Sequence, residues 1–156
     1  MNLRVSALLG TLVAVLPPTS IVSAQWQLGA GAHFSDGVSI NVHAVVPLAD
    51  SADLEHSIRP QVSYGFAGLP AASVSYVLSQ TPTDSTVKPY LGLGAGVSFL
   101  TGPIDAVLVS FHGISGFEFP VADLMAAFTE ATVTTSAIAT GISIGAGVRY
   151  MFGGWQ

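Results

Sequence analysis

Trp26, Leu28, Ala30, Ala32 and Phe34 alternate with Gln25, Gln27, Gly29, Gly31 and His33. A period of two is that of a β-strand whose two faces meet different surroundings. The same alternation returns from Val38 to Leu48, Ile58 to Phe66, Ala72 to Leu78, Tyr90 to Phe99, Val107 to Phe119 and Thr140 to Phe152. In the last of these, Ile142, Ile144, Ala146, Val148, Tyr150 and Phe152 share a face, with Gly141, Ser143, Gly145, Gly147 and Arg149 behind them. Leu124 to Thr134 is ambiguous, because its Ala and Met residues suit a helix equally well. Its β-branched Thr132-Val133-Thr134, and the short turn before it, decide for a strand with Glu130 turned inward. Ser35-Asp36-Gly37 reads as a hairpin loop, and pairing Phe34 with Val38 sets His43 opposite Gly29, a large residue over a small one.

Eight such strands joined by short connections predict an all-β fold, a closed eight-stranded antiparallel up-and-down barrel. Which face points outward follows from composition. Half of the 156 residues are hydrophobic and 8% are charged, against about 25% charged in soluble domains. No run after residue 24 reaches the roughly 18 to 20 apolar residues of a membrane helix, so strands would have to do the crossing. The expectation is a transmembrane β-barrel, greasy outside, with aromatic girdles at its rims from Trp26, Phe34, Tyr64, Phe66, Phe99, Phe117, Tyr150 and Phe152. The inverse, a soluble secreted barrel of lipocalin type with an apolar interior, would put glycines, serines and histidines on the water face with almost no charge to keep it dissolved.

Arg4, the apolar stretch Val5 to Leu16, and Val22-Ser23-Ala24 have the order of a signal peptide. Residues 1–24 are read as that leader and residues 25–156 as one barrel domain. An uncleaved anchor is the other reading, and the apolar run is short for it. The chain has no cysteine, which excludes disulfides, a zinc-thiolate site and a lipidated N-terminal cysteine. Loss of Arg4 leaves three basic residues against nine acids, a charge of −6. Nucleic acid as a partner has no electrostatic support.

Strand parity places Arg59, Glu118, Glu130 and Arg149 on the inner face, with Gln27, His43, Tyr90 and His112, and puts the remaining charges in or beside turns. Two cations and two anions in a narrow lumen can neutralise one another, and unpaired they would be costly. Inward glycines leave volume for their side chains. The expectation is a packed polar plug with little room for water, and a narrow or gated pore is the competing reading. No metal ligand is expected, since nothing in the spacing makes the histidines converge. Gly92-Leu93-Gly94-Ala95-Gly96 lacks the spacing and the following helix of a phosphate loop, so no cofactor is expected. His112 and Ser115 are an odd number of residues apart and face opposite sides of the wall, which leaves no catalytic residue to name.

The stretches Pro89-Tyr90-Leu91-Gly92-Leu93-Gly94-Ala95-Gly96, Gly116-Phe117-Glu118-Phe119-Pro120 and Gly147-Val148-Arg149-Tyr150-Met151-Phe152, together with the leader, resemble the small eight-stranded bacterial outer-membrane barrels of OmpA-like and OmpX-like type. The resemblance implies the outer membrane of a diderm bacterium, a periplasmic N-terminus, and outer loops at Ser35, Gly68, Thr101 and Thr135. It also implies outer-membrane lipids and the barrel-assembly machinery as partners, and a monomer. In that topology Arg59, Glu118 and Arg149 gather in the periplasmic half of the lumen and Glu130 lies higher. Short outer loops argue against surface adhesion. The expected function is an integral outer-membrane barrel with a structural, small-ligand or envelope-maintenance role and no catalysis. A lipid-modifying barrel enzyme is the alternative from another class.

Overall fold

The computed structural model describes residues 26–51, 53–65, 70–80, 87–100 and 106–152. The predicted leader, Gln25, Phe66 and the loops expected at Gly68 and Thr101 lie outside them. The strands are β1 (Gln27–Phe34), β2 (Val38–Ser51), β3 (Leu54–Gly65), β4 (Pro70–Gln80), β5 (Lys88–Leu100), β6 (Ala106–Ala122), β7 (Met125–Ser136) and β8 (Thr140–Met151). Each pairs antiparallel with the next, and β8 pairs with β1 to close the barrel. The stretch that could have been helical is β7, held on both sides by ladders to β6 and β8. A closed circle leaves no edge of unpaired backbone groups, which hydrocarbon requires of any strand that crosses it.

The faces sort as the alternation predicts. Leu91, Leu93, Phe111, Ile142 and Ile144 lie on the exterior and are more than 60% exposed, whereas Arg59, Glu118, Glu130 and Arg149 are at most 4% exposed. That distribution is the reverse of a water-soluble barrel, and the lipocalin-type arrangement is thereby overturned. Phe34 and Tyr64 stand outward near one rim, and Trp26, Phe117, Tyr150 and Phe152 near the other. Tyr150 and Phe152 meet edge to face at 5.0 Å. Val46, expected on the lipid face, is instead covered, just before a register shift between Pro47 and Ala49.

Prolines are absorbed where the ladders give way. The β2–β3 ladder passes from His43↔Gln61 to Val46↔Ile58 without pairing Ala44 with Pro60, while the β3–β4 ladder runs through Pro60. Pro60 therefore loses its missing donor on one side only. Pro120 sits next to a second register shift, in β6.

Inside, five bulky residues each face a glycine across a ladder. His43 lies opposite Gly29, as the sequence pairing implies, His33 opposite Gly145, Tyr90 opposite Gly116, His112 opposite Gly94 and Phe128 opposite Gly147. A Cβ on Gly116 would stand 2.5 Å from Tyr90 Cζ, and one on Gly31 would stand 2.8 Å from Phe128 Cζ. The wall is thin where the contents are thick. This matching sets the register as firmly as the hydrophobic alternation does.

The three atoms nearest a Cβ on Gly145 all belong to the ring of His33, and a Cβ on Gly141 would meet nothing within 4 Å. Gly145→Ala is expected to lower stability by about 1 to 3 kcal/mol and Gly141→Ala to leave it unchanged, measured as urea unfolding in lipid vesicles. In a His33→Ala background the cost of Gly145→Ala should vanish. An undiminished cost there would mean the strain is not steric.

Candidate functional site

The expected lumen residues do converge. Gln27, His43, Arg59, Tyr90, Glu118, Glu130 and Arg149 are all buried, and His112 is half-buried. Their partners follow from which wall carries each. Strands β3 and β7 are diametrically opposed in the ring, and Arg59 reaches across to Glu130 as a fork, Nη1 donating to Oε2 at 2.7 Å and Nη2 to Oε1 at 3.1 Å. Tyr90 Oη donates to the same carboxylate at 2.7 Å, and His33 Nε2 lies 3.0 Å from Oε1. One carboxylate thus joins β3, β5 and β7, with the His33 ring of β1 beside it.

Arg149 on β8 pairs with Glu118 on β6, its guanidinium passing over Phe128 of the intervening β7, 4.7 Å from the ring centroid, with the Tyr90 ring 5.0 Å away. Phe128 was missed by the sequence reading, which saw this strand as small residues around Glu130. Its even parity with Glu130 is the signal that would have placed it inside. Arg59 departs from the expected grouping with Glu118 and Arg149. Its long side chain bonds Glu130 and borders the space above as well as the space below.

A second correction concerns the charges assigned to turns. Glu55 and Lys88 lie within β3 and β5, and they form a further ion pair close to the end of the barrel that carries the β2–β3 and β6–β7 turns. The strands run further toward that rim than the alternation alone marks, because the pattern there is carried by a paired carboxylate and ammonium.

The bonds around His43 fix its ring. Arg149 Nε can only donate, and it lies 3.0 Å from His43 Nε2, so Nε2 accepts and the ring proton is on Nδ1. That nitrogen then donates to Asn41 Oδ1 at 3.1 Å. With its oxygen so used, Asn41 has Nδ2 left as a buried donor without a protein partner.

The contents fill only half of the lumen. Between Arg59 and the end of the barrel bearing the β1–β2 and β7–β8 turns is a cavity of about 520 Å³, reaching the rim at Ser35 and Asp36. Below Arg59 the next cavity is about 10 Å³, the space of about one water molecule. The expectation of little room for water holds for the ion-paired half alone. The other half is roomy because its inward residues are small, among them Ser39, Ser63, Ser73, Ser98, Ser110 and Ser143. Those inward serines were the readable sign of it.

No cluster of three or more metal-binding side chains occurs among the described residues. Ser115 is exposed on the outer face while His112 points inward, as parity requires. His112 instead meets Ser75, with Oγ 2.8 Å from Nε2. Ser75 is 2% exposed, and no acidic group orients the far side of the imidazole among the described residues. A nucleophile that substrate cannot reach, on a base that nothing positions, lacks what acyl transfer needs.

Comparison with solved structures places this architecture. The N-terminal β-barrel domain of Pseudomonas aeruginosa OprF matches with a TM-score of 0.66 at 11% identity, over 82% of this chain and 97% of that one. The fold is that of a small outer-membrane β-barrel. A de novo designed transmembrane β-barrel matches with a TM-score of 0.62 at 13% identity, over 82% of this chain and 95% of the design. The outer membrane enzyme PagL matches at 0.54 and 16% identity, over 81% and 97% of the two chains. No protein-family model and no curated protein sequence matches the chain. Neighbours of such different character share the barrel, so the fold leaves the activity open.

Removing one member of a buried ion pair typically costs about 3 to 5 kcal/mol, because the partner is left charged and unpaired. Glu118→Ala and Arg59→Ala should each lower the unfolding midpoint far more than Asp50→Ala, whose carboxylate is exposed. Double-mutant cycles should give strong coupling for Glu118 with Arg149 and for Arg59 with Glu130, and weaker coupling for Arg59 with Glu118. Additive behaviour of the Glu118→Ala, Arg149→Ala pair would sink the assignment.

Proposed function

We propose that this protein is an integral outer-membrane barrel of a diderm bacterium that neither conducts nor catalyses, with a structural or small-ligand role in the envelope. The observation that carries this reading is the sorting of charge. The exterior of the strands is an apolar belt suited to lipid, and the buried charges are tied to one another across the interior. A pore needs a continuous polar path, and the Arg59–Glu130 and Arg149–Glu118 pairs stand in the way of one. Opening it would mean separating desolvated ions, at a cost of several kcal/mol for each.

In this orientation the termini face the periplasm, and the 520 Å³ cavity opens to the outside. The partners are the surrounding lipids and, during assembly, the barrel-assembly machinery that would receive β8 with its outward Tyr150 and Phe152. The barrel closes on itself and functions as a monomer. The lipid-modifying alternative has the buried Ser75–His112 contact as its nearest support, and the inaccessibility of Ser75 weighs against it.

Two measurements test the proposal. The protein should appear in washed outer membranes and give a gel band that shifts on boiling, and purified protein in planar bilayers should show no steady conductance. Recovery from the soluble periplasm would refute the location. Large, long-lived channels would refute the plug.

A further inference from the structure

We infer that the outer half of the lumen is a binding site for a neutral, polyhydroxylated small molecule of mono- to disaccharide size, an inference that rests on the plugged outer-membrane barrel proposed above. Apart from His33 Nε2, which lies beside Glu130, three side chains lining the cavity carry buried polar atoms without a hydrogen-bond partner in the protein: Asn41 Nδ2, Arg59 Nε and Thr132 Oγ1. The residues are 4%, 2% and 9% exposed. Buried donors of this kind are ordinarily satisfied.

Their chemistry is specific. Asn41 cannot turn its oxygen toward the cavity, because that oxygen accepts from His43, whose tautomer is set in turn by Arg149. Arg59 binds Glu130 through both terminal nitrogens, and its Nε–H has no partner in the protein. Asn41, Arg59 and Thr132 thus close the floor of the site with N–H and O–H groups whose bonding capacity is unspent, and a ligand that reaches them must supply acceptor oxygens.

Charge, shape and size narrow the class further. Among the described residues, Arg59 and Asp36 are the charged lining residues other than histidine, and Glu130 already neutralises Arg59. There is no spare positive charge to hold an anion, and the N–H donors of the floor repel a cation. The walls mix hydroxyls and amides with small apolar groups such as Ala71, Ala72, Val97 and Ile142, and among the described residues they carry no aromatic face beyond the imidazoles of His33 and His112, which suits a compact ligand with both C–H and O–H faces over a flat one. A volume of about 520 Å³ lies within the range of about 300 to 1,000 Å³ used by small-molecule sites. A polyol presents acceptor and donor oxygens in every direction, which matches a hydroxyl-lined wall above a donor floor.

The test is a titration of the folded barrel in nanodiscs with glucose, with maltose and with inorganic phosphate, following the Asn41 side-chain amide and the backbone amides around Thr132 by NMR. A saturable shift is expected with one or both sugars and none with phosphate. Thr132→Val, which removes only a hydroxyl, should weaken sugar binding roughly tenfold. Gly141 lines the cavity and has open space around its Cα, so Gly141→Phe should place a ring in the mouth without disturbing the wall and abolish the shift. No saturable response to either sugar, saturation by phosphate, or a response unchanged by Gly141→Phe would each overturn the inference. A negative titration on a non-conducting, outer-membrane-located barrel removes the ligand alone, whereas a conducting barrel removes the reading beneath it.

Discussion

Arg59 and Glu130 stand on opposite walls and bond to each other through two hydrogen bonds in a medium where neither could remain charged alone. Much of the interior is arranged around that requirement. Tyr90 donates to the same carboxylate, Gly116 gives way to Tyr90, and Gly145 gives way to the His33 ring beside it. A diametric bond also fixes how far apart the two walls can be. The diameter of the barrel is thus set by strand number and held by a strut.

The same strut divides the lumen into unequal halves. On one side, bulky residues and ion pairs interlock with glycines around a cavity of about 10 Å³. On the other, small inward residues leave about 520 Å³. A single parity rule produces both, because inward positions accept any residue that the opposite wall can accommodate. The difference between a plug and a cup lies only in the size of the side chains spent on each half.

The alternation made the strands readable, since every second residue must satisfy lipid, and it also placed Arg59, Glu118, Glu130 and Arg149 inside. The His43 and Gly29 pairing was readable because a short hairpin loop transmits register directly. Which charge bonds to which was beyond the pattern. Glu118 and Arg149 meet by passing over Phe128, and Arg59 crosses to Glu130. Both facts depend on the stagger of strands around a closed ring, which no local window contains. Phe128 was overlooked because its alanine neighbours masked the parity, and Glu55 with Lys88 because a charge near a strand end resembles a turn.

One glycine has a mechanical meaning. The shortest strand, β1, is held on each side by a ladder of eight residue pairs, against thirteen between β5 and β6. Gly29 is the third residue of this weak stave, with His43 beside it on one side and Arg149 on the other. Having no side chain, it lets Arg149 reach over it and bond His43, so that β8 is fastened to β2 across the stave between them. If the circle parts, it should part here, and the strap over Gly29 has to let go before β1 can lift away. The resistance of the wall to tearing is then governed less by its longest seams than by one bond laid across its narrowest.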